Sequence, residues 1–178
     1  AISEHGEDIL LTCDKCDYGA NREKAESIFQ QPEYDKELRP MRKEATPDIR
    51  TVEQLEEFFG IRAADMVKTI IYLSDERQVA VCCRGDLEIN ETKLRNMLGA
   101  SQLSIADDAT VIAATGAPVG FAGPIGLKDV SRVILDTSVE PMTNFLCGCN
   151  EVDFHLLDVN LGRDLPMPDR FYDVHNAQ

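Results

Sequence analysis

Lys68 stands in the run Met66-Val67-Lys68-Thr69-Ile70-Ile71, an ammonium among residues that otherwise read as core. A lysine so placed either snorkels its charge to solvent or meets an anion. His155 lies within a hydrophobic stretch; it reads as a general base, a donor that positions a ligand, or a half-buried histidine at a bulge. Asp136 ends the apolar run Arg132-Val133-Ile134-Leu135, where a carboxylate either caps the next turn or faces a pocket. The fourth feature is a loop, Thr115 to Leu127, which holds four of the chain's eleven glycines together with Pro118 and Pro124. Glycine admits close backbone approach and proline stiffens the chain, so the remaining amides point in defined directions. Such a loop suits main-chain binding of a polar ligand, or else a tight connection between a helix and a strand.

Other chemistries lack their residues. There is no G-x-S-x-G, and no cysteine has an evident histidine partner in sequence. Gly116, Gly120 and Gly123 do not follow a strand as a dinucleotide or P-loop fingerprint requires. The six cysteines fall as Cys13-x-x-Cys16, Cys82-Cys83 and Cys147-x-Cys149. Cys13 and Cys16 have zinc-knuckle spacing, and Cys147 and Cys149 are a poor match for the second half. Ordinary reduced cysteine is the alternative, and disulfides are not expected without an export signal.

The elements that must hold these residues follow from pattern. Thr51-Val52-Glu53-Gln54 has the form of a capping box, followed by Leu55, Phe58 and Phe59 on the stripe of Val52 and then by Gly60, which predicts a helix. Residues 63–68 predict a further helical turn or two, leading into a strand at Thr69–Leu73. Val79–Cys83 returns as a second strand after a polar turn, making a hairpin. Helices are expected after Asn90, closed by Gly99, and from Asp107 to Thr115, closed by Gly116. Strands are expected at Arg132–Asp136 and Asn144–Cys147. Val152, Phe154 and Leu156 alternate, and Leu157, Val159 and Leu161 alternate in the opposite phase, which predicts a bulge near His155 to Leu157. Ahead of these, Ile9-Leu10-Leu11 suggests a short strand and Asn21 to Phe29 a helix.

A chain of 178 residues, 43% hydrophobic, fits one domain able to bury a core. Residues 1–45 read as an entry segment and connector, 46–165 as the domain and 166–178 as an exit linker, as in a piece cut from a longer polypeptide. No apolar run approaches a membrane span and no export signal is visible, so a cytoplasmic location and no membrane partner are expected. The net charge of −14 argues against nucleic-acid binding by broad phosphate neutralisation. RNA contact would be local, with Arg39, Arg42, Lys43, Lys93 and Arg95 as candidates, though a solvated face accounts for either group equally.

Several separated motifs resemble, in order, the editing domain inserted into bacterial-type prolyl-tRNA synthetase and its relatives, the stand-alone aminoacyl-tRNA deacylases of the YbaK/ProX type. They are Cys13 to Glu26, Thr46-Pro47 with Thr51 to Leu55, Val67-Lys68-Thr69-Ile70, Arg84-Gly85-Asp86 with Asn90 to Leu94, the glycine–proline loop, Asn150 to His155, and Asn160 to Leu165. Gly120 to Pro124 fits the family's G-x-x-x-P signature. Cys147, Cys149 and Leu161 depart from the family, which often has small residues at the first two positions and an aromatic at the third.

The resemblance implies an α/β (α+β) fold, a twisted mixed β-sheet, partly barrel-like and surrounded by helices. It implies hydrolysis of alanine wrongly esterified to the tRNA for proline. A synthetic site for proline cannot strongly reject smaller alanine, since a few methylenes are worth only ~1–3 kcal/mol, so a second and smaller sieve is needed. By the same resemblance Val52 and Leu55 bound that sieve and Lys68 faces the acceptor end of the tRNA. The backbone amides of Gly120 to Gly123, through Phe121 and Ala122, supply donors for the carbonyl and oxyanion, and Pro124 of the same loop belongs to the substrate-binding surface. Thr46, Asp136 and His155 orient the ribose, the amino group or the water. Lys68 and His155 matter for turnover, and the resemblance assigns neither of them as the base. Editing is expected to need no cofactor and no metal, ATP and magnesium belonging to the synthetase body. The implied partners are the alanylated acceptor end and the rest of a synthetase, a homodimer. Two alternatives stand beside this: a stand-alone deacylase acting in trans on another mischarged tRNA, and a non-catalytic module stapled by zinc on Cys13, Cys16, Cys147 and Cys149.

Overall fold

The computed structural model describes residues 10–21, 24, 25 and 32–177. The helix expected from Asn21 to Phe29 falls largely outside these. A two-stranded hairpin comes first, β1 (Leu10–Thr12) against β2 (Gly19–Asn21). The main sheet contains β3 (Arg42–Ala45), β4 (Met66–Ser74), β5 (Arg77–Arg84), β6 (Leu103–Ile105), β7 (Arg132–Leu135), β8 (Phe145–Gly148) and β9 (Phe154–Val159). Its order is β3-β9-β8-β4-β5-β7, with β6 on β4. The β4/β8 and β5/β7 pairs are parallel and the rest antiparallel, so the sheet is mixed. The architecture is the expected α+β, but the twisted sheet stays open with β3 and β7 as its edges; it does not close into a barrel.

Among the described residues three helices of eight residues each cover it: α1 (Val52–Phe59), α2 (Glu91–Leu98) and α3 (Asp108–Thr115). Each begins and ends where its sequence directs. Thr51 and Gln54 form the reciprocal capping box of α1, and Asn90 and Asp107 accept from Lys93 and Thr110 amides at the starts of α2 and α3. Gly60, Gly99 and Gly116 close the helices in the left-handed conformation that glycine adopts without penalty.

Alternation along β4 sends its residues to two faces. Tyr72 packs with Leu94 of α2 and with Ile134, whereas Ile71 packs with Val111 and Ala114 of α3. Near the start of β4, Met66 packs with Leu55, Leu146 and Leu157 under α1. The expected helical continuation from Ala63 to Lys68 is one 3-10 turn, Ala63–Asp65; from Met66 onward pairing with β5 and β8 holds the chain extended. The expected bulge is real and lies slightly further on. Phe145 opposes Val159 and Cys147 opposes Leu156, so β9 carries an extra residue there, and Asp158 has φ +59°.

Two segments expected as connectors belong to the fold. Residues 42–45 pair with Phe154–Leu157 as β3. The segment expected as an exit linker returns along the domain: Tyr172 bridges to Asp136 and His175 to Ile89, with Val174 fully buried. Neither announces itself in sequence, because Arg42-Lys43-Glu44 is a charged edge strand and the return segment is irregular.

Candidate active site

One side of β4 is left uncovered between its two neighbours. β8 pairs with Met66 and Val67, and β6 pairs with Tyr72, Leu73 and Ser74, so no strand among the described residues covers Lys68 to Ile71 on that side. A cleft of about 240 Å³ opens here. Its apolar lining comes from Val52 and Leu55 of α1, Met66 and Val67 of β4, and Leu146 and Cys147 of β8. Its polar groups are Lys68, Thr69, His155, Arg50, Thr51 and the backbone at Gly120, Ala122 and Gly148.

Lys68 keeps one-fifth of its side chain exposed and places Nζ 3.3 Å from Oε1 of the largely exposed Glu88. The chain resolves the sequence alternatives by combining them: the lysine reaches the cleft and is held by a solvated anion. His155 is buried, its Nδ1 2.7 Å from the Thr46 hydroxyl oxygen. Burial lowers its pKa below the ordinary histidine value, opposed by a hydrogen bond to the Gly120 backbone. The imidazole is therefore neutral at neutral pH. Thr46 itself is fully buried and acts on the cleft through His155.

The glycine–proline loop is packed by backbone contact. A Cβ on Gly123 would lie 1.7 Å from the Gly148 carbonyl oxygen, and one on Gly148 would lie 2.3 Å from the Ala122 oxygen. Gly120 has φ +104°, and a Cβ there would meet Arg50 at 2.7 Å. Asn150 clamps the loop: Gly123 N–H donates to its Oδ1 at 2.8 Å, its Nδ2 donates to the carbonyls of Gly123 (3.2 Å) and Ile125 (2.7 Å), and its own N–H donates to Phe121 O at 2.9 Å. The amides are thereby sorted. That of Gly123 is occupied by Asn150 and that of Phe121 points at Pro118 O, 3.4 Å away. Those of Gly120 and Ala122 have no acceptor among the described residues, and both residues line the cleft.

Lys68, His155, Val52, Leu55, Gly120 and Ala122 thus meet in one cleft. Gly123, Phe121 and Pro124 shape the loop from behind: Phe121 is fully buried, its ring centroid 5.8 Å from that of His155 and 5.5 Å from the Arg50 guanidinium carbon. Asp136 is elsewhere, which corrects its assignment to the pocket. Its carboxylate is fully buried and accepts from Ser138 N–H (2.8 Å), Val174 N–H (2.8 Å) and His175 Nδ1 (2.9 Å). Burial would raise its pKa, but the His175, Ser138 and Val174 hydrogen bonds outweigh that and hold it below the usual carboxylate range. Arg50, Glu88, Gly148 and Asn150 were missed. Asn150 and Gly148 had a signal in their turn-forming types, whereas the approach of Glu88 to Lys68 across 20 residues had none.

The zinc staple is not assembled. Cys147 is buried in the core within β8, and Cys13 and Cys16 are exposed. Among the described residues the group of three or more possible ligands is Asp136, Asp173 and His175, with no cysteine in it. Four of the five basic candidates are also committed: Arg39 and Arg42 pair with Asp158 at 3.3 and 3.0 Å, Lys93 with Asp173 at 2.9 Å, and Lys43 with Glu151. A larger recess of about 310 Å³ beside Arg39 and Arg42 is likewise lined by compensated charges, including the Arg62–Asp65 pair at 2.6 Å, and does not offer a free cation to a phosphate. No described helix is long and apolar enough to cross a membrane.

Comparison with known proteins agrees with this geometry. A Proline–tRNA ligase from Thermoanaerobacter sp. (strain X514) is 47% identical over 165 residues, covering 92% of this chain and 29% of that protein. One from Geotalea daltonii is 42% identical over 176 residues, covering 99% of this chain and 30% of that protein. The chain therefore spans about three-tenths of the curated relatives it matches. A solved structure named as a candidate trans-editing enzyme for prolyl tRNA synthetase superposes with a TM-score of 0.59 at 16% identity, over 66% of this chain and 74% of that one, and so shares the fold. Residues 46–165 match the aminoacyl-tRNA editing domain, and the chain belongs to that family.

Proposed function

We propose that this chain is the editing insertion of a bacterial-type prolyl-tRNA synthetase and hydrolyses the ester that joins alanine to the tRNA for proline. The observation that carries this reading is the meeting, in one small cleft, of Lys68, a neutral His155 and two unpaired amides over an apolar floor. Lys68 exchanges its exposed partner Glu88 for a phosphate of the acceptor end. The Gly120 and Ala122 amides take the ester carbonyl and strengthen as it becomes an oxyanion under attack by water. Val52 and Leu55, held by α1, contact the alanine methyl and set the size limit against proline. Thr46 fixes the His155 ring, which orients the ribose hydroxyl or the water rather than serving as the base. Asp136 has no step in this scheme. The scheme uses water alone; ATP and magnesium belong to the synthetase body.

A trans-acting deacylase is the second reading, supported by the coverage of a free-standing fold relative. The identities of 42–47% to synthetases favour the insertion. The test is release of alanine from alanylated proline tRNA by this chain, its Lys68→Ala variant and an intact synthetase carrying each. Release by the parent, lost in the variant and absent for prolylated tRNA, is expected. Hydrolysis of a different mischarged tRNA in preference would favour the trans reading. No release even within an intact synthetase would overturn both.

A further inference from the structure

The editing cleft makes no use of the chain's exposed cysteines. Cys13 and Cys16 sit in the turn that joins β1 to β2, closed by Cys13 N–H donating to Tyr18 O at 2.9 Å. Both are exposed. Lys15 N–H points at Cys13 Sγ, 3.4 Å away. The turn thus does two things a thiolate needs: it aims an amide at one sulfur and leaves that sulfur open to attack in solution. The remaining cysteines are placed oppositely. Cys82, Cys83 and Cys147 are buried, and Cys149 is half-buried with its sulfur 3.2 Å from Phe154 O.

We propose that Cys13 and Cys16 are a redox-active dithiol that exchanges with low-molecular-weight disulfides, Cys13 attacking and Cys16 resolving. The Cys13 thiolate attacks one sulfur of a disulfide RSSR, forming a mixed disulfide and releasing RS⁻, which takes up a proton. Cys16 then gives up its proton and attacks the Cys13 sulfur, expelling the second RSH. Two protein thiols are oxidised by two electrons and one RSSR is reduced to two RSH. Titration supports the order: the amide of Lys15 and then the Cys16 side chain and amide lower the Cys13 pKa, while burial pushes Cys82 up to about 12 and raises Cys83 and Cys147.

The proposal is independent of editing, and its test uses the whole chain and oxidised glutathione near neutral pH, with thiol titration and peptide mapping. Two of the six thiols are expected to disappear as a Cys13–Cys16 cross-link that dithiothreitol reverses. Cys16→Ser should stop at one glutathionyl group on Cys13, and Cys13→Ser should react about ten-fold more slowly. Survival of all thiols, equal reactivity of the two variants, adducts on the buried cysteines, or zinc held by the pair and blocking exchange would each overturn the proposal.

Discussion

His155 has lost its water but kept two polar neighbours, the Thr46 hydroxyl and the Gly120 backbone, and this sets how the cleft responds to pH. Its folded pKa lies below the unfolded value of 6.5, so the unfolded chain binds the proton first as pH falls. The stability tied to the neutral ring is complete above the unfolded value and is lost as pH falls through it towards the depressed one. The urea midpoint of the parent should therefore drop between about pH 7.5 and 5.5, and His155→Gln should flatten that slope. Deacylation, which depends on the folded ring, should decline only at lower pH than the stability does, where the depressed imidazole of the folded chain takes up its proton. Glu88 poses a different question. It is an exposed partner for Lys68, so Glu88→Gln should change stability by no more than about 0.5 kcal/mol. If Glu88 competes with phosphate for the ammonium, the same variant should lower KM for aminoacylated tRNA with kcat retained, which steady-state kinetics would read.

Among the elements, the glycine–proline loop is where backbone packing substitutes for regular structure. Gly123 and Gly120 serve close contact with Gly148 and Arg50, and Asn150 supplies the hydrogen bonds that a strand partner would otherwise provide. Asn150→Ala removes three side-chain bonds and leaves partly buried carbonyls unpaired, an expected loss of about 2–4 kcal/mol by urea unfolding. Because Asn150 has φ +59°, Asn150→Gly separates the lost bonds from backbone strain and should be less destabilised than the alanine variant. Both should reduce kcat, since the Gly120 and Ala122 amides lose their fixed direction.

At the scale of the whole molecule, the folded unit exceeds the stretch that matches the family. β3 borders β9 on one edge, and the return segment latches near the other through Asp136, Lys93 and the Asn90–Asn176 side-chain bond. Asp136 is the keystone of that latch. Truncation after Met167 would strip the Val174 and His175 hydrogen bonds to its carboxylate together with the segment that packs over it, an expected cost of about 3–5 kcal/mol. A chain limited to residues 46–165 should melt well below the full one in a thermal scan. The latch also has its own acid limit: the Asp136 pKa is depressed, so its contribution is present above the unfolded value of 3.8 and lost as pH falls through the folded one. That window lies below the His155 window, so the two are separable by acid titration of the His155→Gln variant.

Local rules determined much of this protein from the sequence alone. Capping residues and left-handed glycines act within a few positions, so Thr51, Asn90, Asp107, Gly60, Gly99 and Gly116 marked the helices, and β-branched runs marked the central hairpin. A phase change in alternation located the bulge to within about two residues, for the same reason. The resemblance supplied the family and gathered Lys68, His155, Val52 and Leu55, which the fold brings to one cleft. Only tertiary structure decided the rest. Asp136 at a strand end looks the same whether it faces a pocket or a histidine 39 residues away. Which loop amides remain free depends on Asn150, 27 residues beyond Gly123. A charged edge strand and an irregular return segment gain their places from partners distant in sequence, and pairing, unlike capping, leaves no trace in the neighbouring residues.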